Sequence, residues 1–322
     1  MNPELSIVVP CFNEEGAIPI FYEETKKVVD SIGCTYEMIF INDGSSDDSL
    51  KRMKELSEKD SNVKYLSFSR NFGKESAMYA GLCNASGDYV TLMDADLQDP
   101  PSLLPEMLDI LKSGEYDNVA TRRKDRKGES RIRSFFSKCF YKVINRISEV
   151  KIESGSRDYR LMKREMVDAI VQMGESNRFS KGLFSWVGFR TYWLSFDNVE
   201  RVTGRTKWST WKLFRYSIDG ITNYSHTPLS IASSMGLLLT FISIIAIIFL
   251  IVRQILFNDS VEGWTSLVCI ITFIGGLQLL CMGIMGQYIA KTYIETKNRP
   301  HYIISETNKE DTKRINGDGR NG

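Results

Sequence analysis

Two stretches near the C-terminal end constrain this chain more than any other feature. Leu229 to Val252 runs 24 residues without a charged side chain, and Gly263 to Ala290 does so for 28. At about 1.5 Å of rise per residue, either helix reaches across the roughly 30 Å hydrocarbon core of a bilayer. The alternative is a helical hairpin buried in a soluble core, where shorter apolar helices are the rule. The linker from Arg253 to Glu262 is short, so two spans leave both chain ends on one side. Lys207, Lys212 and Arg215 precede the first stretch, and Lys291, Lys297 and Arg299 follow the second, whereas the linker carries only Arg253. Basic residues collect at the cytoplasmic ends of spans. This places residues 1–228 and the tail, residues 291–322, in the cytoplasm, beneath a plasma or inner membrane. The tail turns polar after about Ser305 and is expected to lack structure there.

The part before the first span is charged and soluble in character. With 41 basic against 40 acidic residues, nothing favours a nucleic-acid partner. There are two histidines, and the six cysteines are scattered without a Cys-x-x-Cys pair, which argues against a zinc site and for reduced thiols. Met1 leads almost directly into a strand, with no signal-peptide pattern.

Strand and helix patterns alternate from there. Leu5–Val9, Tyr36–Ile41, Val63–Phe68, Asp88–Met93 and Asp117–Ala120 read as strands. The intervening helices run to about Ile32, then over Ser46–Glu58, Lys74–Cys83 and Ser102–Leu111. Regular alternation implies a mostly parallel sheet covered by helices on both faces, an α/β architecture. Ligands bind such sheets at the C-terminal ends of the strands. Four polar loops lie there: Pro10-Cys11-Phe12-Asn13-Glu14-Glu15, Asn42-Asp43-Gly44-Ser45-Ser46-Asp47, Ser69-Arg70-Asn71-Phe72-Gly73-Lys74, and the run containing Asp94 and Asp96. Asp94 and Asp96 either close a strand as an acidic turn before Pro100 and Pro101 or hold Mg²⁺ or Mn²⁺ against a diphosphate. Asn13 and Ser46 are expected to cap helices, and Asp43 to meet a base or ribose. No Gly-x-Gly-x-x-Gly follows the first strand and no Gly-x-x-x-x-Gly-Lys-Ser/Thr occurs, which argues against a dehydrogenase and a P-loop enzyme.

Taken together, Val9-Pro10-x-Phe12-Asn13-Glu14-Glu15, Ile41-Asn42-Asp43-Gly44-Ser45-Ser46-Asp47, Arg70-Asn71-Phe72-Gly73-Lys74 and Asp94-Ala95-Asp96-Leu97-Gln98-Asp99-Pro100-Pro101 resemble family 2 glycosyltransferases of the GT-A (Rossmann-like) fold. With two C-terminal spans, the chain to about residue 305 is similar to polyprenyl-phosphate glycosyltransferases, a group that includes bacterial bactoprenol glucosyltransferases and dolichol-phosphate mannose synthases. The resemblance implies inverting, metal-dependent transfer of one sugar to undecaprenyl or another polyprenyl phosphate, with UDP-glucose the first choice of donor. It implies a nucleotide pocket lined by Pro10, Asn13, Glu15, Asp43, Lys74 and Asp94, and Mg²⁺ or Mn²⁺ held by Asp94, Asp96 and Gln98. Asp158, in Gly155-Ser156-Arg157-Asp158-Tyr159-Arg160, falls at a functional position facing the sugar, either orienting a hydroxyl or the acceptor or paired with Arg157 or Arg160. Arg205 and Lys207 fall where cations meet the leaving diphosphate, or they touch lipid headgroups. Related proteins suggest a homo-oligomer, a tetramer held by the spans.

An anionic acceptor needs cations, and Arg122, Arg123, Arg131 and Arg133 are candidates for its phosphate. In Arg131–Ile147 the apolar residues Ile132, Phe135, Phe136, Cys139, Phe140, Val143, Ile144 and Ile147 form one helical stripe with basic residues off it. Such a helix lies on a membrane surface or packs on a core; with two spans in the chain, the interfacial reading is preferred. The expected organisation is a catalytic domain over residues 1–204, an amphipathic juxtamembrane segment over 205–228, spans at 229–252 and 263–290, and the tail. Two alternatives remain at this point. A processive polysaccharide synthase usually carries more spans and a Gln-x-x-Arg-Trp motif, which Arg205-Thr206-Lys207-Trp208 does not match. A non-catalytic membrane scaffold would not need Asp43, Asp94 and Asp96 intact.

Overall fold

A computed structural model describes residues 3–123, 145–146, 151, 153, 155–197, 222, 225, 227–257 and 263–310. Nearly all of the basic helix expected over 131–147 and of the segment 205–228 lies outside the described residues, as do Arg131, Arg133, Arg205 and Lys207.

The first half builds as its periodicity dictates. Strand β1 (Leu5–Cys11), helix α1 (Ala17–Ile32), β2 (Tyr36–Asn42), α2 (Ser49–Lys59), β3 (Val63–Phe68), α3 (Lys74–Asn84) and β4 (Tyr89–Leu92) follow in order. A short 3₁₀ turn, Pro101–Leu103, leads into α4 (Leu104–Lys112). β1 pairs in parallel with β2 and β4, and β2 with β3. Every residue of β2 is buried, as a strand covered on both faces must be. Ile18 and Phe21 of α1 and Leu104 and Met107 of α4 pack one face of the sheet. Ala77, Met78 and Ala80 of α3 pack the other. Gly81 lets α3 press onto β1, since a Cβ there would sit 2.1 Å from Val8 Cγ1.

The second half departs from simple alternation. β5 (Asn118–Arg123) is followed by β6 (Ser156–Lys163), α5 (Arg164–Gln172), α6 (Ser180–Trp186) and β7 (Thr191–Phe196). β6 inserts between β4 and β5 and runs antiparallel to both, while β7 pairs in parallel with β5. With β8 (Ile304–Thr307) at the edge, the full order is β7-β5-β6-β4-β1-β2-β3-β8, a mixed sheet of eight strands among the described residues. β5 extends through Arg123, so Thr121, Arg122 and Arg123 belong to the strand rather than to a loop after it.

Two long helices then leave the sheet: α7 (Thr227–Phe257) and α8 (Trp264–Thr296). Both are long and apolar enough to cross a membrane. Their large side chains stand in the open, with Leu237 75 % and Leu279 71 % exposed. Apolar surface on that scale calls for lipid or another chain.

The tail corrects an expectation. Ile304–Thr307 form β8, which pairs antiparallel with β3 at the sheet edge, so structure continues past Ser305. Tyr302 is buried and stacks on Phe68 at 5.2 Å between ring centroids. Asn308 Oδ1 accepts from the Tyr65 N–H at 2.8 Å. Lys309 Nζ reaches the buried Glu37 carboxylate at 2.7 Å. The catalytic domain is therefore closed by residues that follow both apolar helices, which a boundary at residue 204 does not show. Residues 311–322 lie outside the described residues.

Candidate active site

The first two rim loops clasp each other. The Asn13 N–H donates to Ser45 Oγ at 2.9 Å, and Asn13 Oδ1 accepts from the Ser46 N–H at 2.8 Å. Glu15 Oε2 accepts from the Asp48 N–H at 2.9 Å. Neither Asn13 nor Ser46 caps a helix; Gly16 and Asp48 stand at those positions. Asn13 adopts a left-handed backbone, φ 54°, a conformation asparagine tolerates better than most residues. Pro10, in register with Ile41, sits at the end of β1 beneath this clasp.

Asp43 performs a task the sequence did not reveal. Its carboxylate accepts from the Phe72 N–H at 2.6 Å and from the Gly73 N–H at 3.0 Å, so it braces the third rim loop from inside. Burial raises its pKa, and those backbone donors oppose the rise. Gly44 lies under the same loop at φ 64°; a Cβ there would meet the Arg70 carbonyl carbon at 2.4 Å. Asp43 thus shapes the third rim loop, whatever else it touches.

The centre of the site follows from β6. Leu92 of β4 pairs with Arg160, and the same register carried two residues further sets Asp94 across from Asp158. Lys74, at the start of α3, enters between them. Its Nζ lies 2.7 Å from Asp94 Oδ1 and 2.7 Å from Asp158 Oδ2. Burial pulls the Lys74 ammonium down, but Asp158 and Asp94 outweigh it and hold it above its ordinary range. Burial would lift Asp158, yet Lys74, with Lys181 and Arg157, holds it well below the usual carboxylate range. Asp158 is therefore an ionised carboxylate throughout the physiological range and a poor reservoir of protons. Its ion pair is with Lys74 rather than with Arg157 or Arg160.

Around this centre lie Asp99 and Glu75, which sequence reasoning missed, and Lys181, in the run Asn177-Arg178-Phe179-Ser180-Lys181-Gly182 that the sequence leads one to expect at the border of the sugar pocket. Asp99, 1 % exposed, pairs with Arg157, whose Nε donates to Asp99 Oδ1 at 2.8 Å. Burial exceeds what Arg157 recovers and pushes the Asp99 carboxyl up to about 6. Glu75, next to Lys74, accepts from the Ser180 N–H at 3.1 Å and ties α3 to α6. Lys181 Nζ donates to the Ser156 carbonyl at 3.0 Å. The signal available was the adjacency of opposite charges in Lys74-Glu75 and Arg157-Asp158.

The donors suited to a divalent cation are oxygens alone. Asp96 is 5 % exposed and accepts from the Gln98 N–H at 3.1 Å, which turns it back toward its own loop. Asp94 lies two residues before it. Two carboxylates and an amide oxygen suit a hard ion such as Mg²⁺ or Mn²⁺, so the set fits. Gln98 Oε1, however, accepts from Arg123 at 3.2 Å. Of the arginines expected at an acceptor phosphate, Arg123 is thus turned toward the loop that carries Asp94, Asp96 and Gln98. Arg122 is engaged by Glu153 at 2.8 Å and by Ser195 Oγ at 2.9 Å.

With this geometry in place, known proteins supply the family. The model of "Glycosyl transferase family 2" matches residues 6–171, which hold all four rim loops, Lys74, Asp94, Asp96 and Asp158. The chain belongs to glycosyl transferase family 2. This glycosyltransferase is 44 % identical to CsbB of Bacillus subtilis, itself named as a glycosyltransferase, over 94 % of this chain and 92 % of that one. It is 42 % identical to the prophage bactoprenol glucosyl transferase homolog of Escherichia coli K12, over 95 % of this chain and 100 % of that one. It is also 42 % identical to the bactoprenol glucosyl transferase of Shigella phage SfII, over 95 % and 99 %. These alignments are long enough to take in both apolar helices. The GT-A-like α/β sheet with two C-terminal apolar helices is the expected architecture, and the rim of this transferase's sheet holds its candidate active site.

Proposed function

We propose that this glycosyltransferase transfers one sugar from a UDP-sugar, glucose foremost, to a polyprenyl phosphate at the cytoplasmic face of a plasma or inner membrane. The observation that carries this reading is near full-length similarity, both apolar helices included, to proteins named as bactoprenol glucosyl transferases. The rim geometry supports it, because Asp94, Lys74 and Asp158 converge where a diphosphate and its sugar would meet.

In this reading Asp94, Asp96 and Gln98 would hold Mg²⁺ or Mn²⁺, which would supply charge neutralisation for the departing diphosphate. Gln98 also accepts from Arg123, so Arg123 lies beside this set and within the same part of the site. Pro10, Asn13, Glu15 and Asp43 shape the nucleotide pocket, and Arg205 and Lys207 assist the leaving group. The acceptor phosphate oxygen is already anionic, so it attacks the anomeric carbon without a general base. One carbon–oxygen bond forms to the acceptor as the bond to the diphosphate breaks, with inversion. Asp158, held ionised by Lys74, orients a sugar hydroxyl or the acceptor. Arg131 and Arg133 join Arg122 and Arg123 as candidates for the acceptor phosphate, and the chain assembles as a homo-oligomer, a tetramer, through its spans.

The test uses purified full-length protein with labelled UDP-sugars, undecaprenyl phosphate and Mg²⁺ or Mn²⁺. A lipid carrying one sugar is expected. A polymer would favour a processive synthase, and ordered nucleotide binding without product from any donor would favour a scaffold.

A further inference from the structure

Beside Asp158, on the face of the sheet covered by α6, lies a cavity of about 190 Å³. Arg160, Lys181, Lys151, Glu153, Ser156 and Trp193 are among the residues that line it. It is smaller than the roughly 300–1,000 Å³ of pockets that take drug-sized ligands, so it suits the head of a small molecule. Its charge is unbalanced: three cations face one carboxylate, and that carboxylate, Glu153, is already engaged by Arg122 at 2.8 Å.

Arg160 makes the case. It is 3 % exposed, and its guanidinium lies 3.5 Å from the Phe184 ring centroid. It donates to the Arg157 carbonyl at 3.3 Å, and its Nε has no partner. Among the described residues no carboxylate forms an ion pair with it. Ser156 Oγ and Asn118 Oδ1, also lining the cavity, are buried without a partner. A buried guanidinium with no ion pair is costly to hold; burial pulls Arg160 down to about 9, and the charge of Asp158 offsets this only in part. Such a group is stabilised by an anion that enters from outside. Guanidinium and ammonium groups together favour phosphate.

We propose that this cavity is a second anion site, one that takes a phosphate group through Arg160, Lys181 and the Ser156 hydroxyl. Its lining includes neither the Asp94–Gln98 loop nor Arg123. The phosphate could be carried by a lipid or be free in solution, and the chemistry recognised is the same. Trp186, 57 % exposed on the same helix, favours the lipid source, because indole rings collect at bilayer surfaces.

The experiment measures binding by the full-length protein in detergent, with a chelator and no donor, and the Arg123→Gln variant separates binding in this cavity from binding at the proposed acceptor arginines. Inorganic phosphate, farnesyl phosphate and, in nanodiscs, phosphatidylglycerol are the probes, and their rank identifies the source. Lys181→Gln and Arg160→Gln should each weaken the preferred probe by about tenfold or more. Ser156→Asp, which puts a carboxylate into the cavity, should abolish binding, while Arg123→Gln should leave it within about twofold. Thermal melting checks each fold; should Arg160→Gln fail to fold, the other two variants decide. Absence of binding by all three probes overturns the proposal. So does binding that Lys181→Gln and Ser156→Asp leave intact or that Arg123→Gln removes.

Discussion

Lys74 Nζ lies 2.7 Å from Asp158 Oδ2, and the same ammonium reaches Asp94, so one cation joins the carboxylate expected at the metal to the carboxylate expected at the sugar. Lys74 belongs to the third rim loop, Asp94 to the fourth, and Asp158 to a strand far along the chain. Their meeting is what turns a set of polar loops into one site.

The Lys74 bridge should be required for turnover. Lys74→Met leaves two carboxylates facing each other without their shared cation, which raises the pKa of at least one of them. Turnover is expected to fall by about a hundredfold or more, with a much smaller change in UDP affinity. Steady-state kinetics beside UDP titration separate the two, and a variant with near-normal kcat would remove Lys74 from the site.

Asp96→Asn should abolish the divalent-ion requirement together with activity. Metal charge stabilisation is worth several kcal/mol, more than about a hundredfold in rate. Membrane insertion should be intact, since Asp96 lies in the sheet domain. Activity across Mg²⁺ and Mn²⁺ titrations checks this, and a wild-type response to metal would refute the assignment.

The Asp99–Arg157 pair predicts a pH dependence with a definite sign. The Asp99 carboxyl is pushed up to about 6 from an ordinary 3.8. A raised carboxyl favours the folded state most below its unfolded pKa, and this contribution is lost as pH rises from about 4 to about 6. Asp99→Asn removes that slope. Apparent melting temperature from pH 4 to 7 should therefore decline less steeply, or rise more steeply, in Asp99→Asn than in wild type; equal slopes would contradict the reading.

The C-terminal strap should be stabilising. Lys309 and Glu37 form a pair whose side chains are 14 % and 7 % exposed. Removing one partner of a buried pair costs roughly 3–5 kcal/mol. Lys309→Met should lower the melting temperature and speed hydrogen exchange in β8 and β3, leaving α1 protected. Unchanged exchange in β8 would show that the strap does not depend on this pair.

The sequence disclosed the parts governed by local pattern. The strand runs ending in Cys11, Asn42 and Phe68 have the apolar period of buried strands, and the loops after them are polar where a sheet rim needs them. Asp94 and Asp96 are legible from their residue types at a strand end, and Asp158 from the family resemblance alone. Their arrangement is not, because β6 reaches β4 by an antiparallel pairing between distant segments, and no local period encodes a long-range partner. The sequence leads one to expect Lys74 at the nucleotide; that it bridges Asp94 and Asp158 shows only in the fold. Asp43 was read as a ligand group because a rim carboxylate has that appearance; only the fold shows the Phe72 and Gly73 amides aimed at it. The tail was misread because an edge strand buries little, so Ser305-Glu306-Thr307 keeps a composition like that of a disordered segment.

The most direct measurement is the product formed when the purified full-length protein meets UDP-[¹⁴C]glucose, undecaprenyl phosphate and Mg²⁺ or Mn²⁺. The account predicts a lipid bearing one hexose, formed by wild type and lost in Asp158→Asn. A polymeric product, or a single-sugar lipid formed equally well by Asp158→Asn, would contradict it.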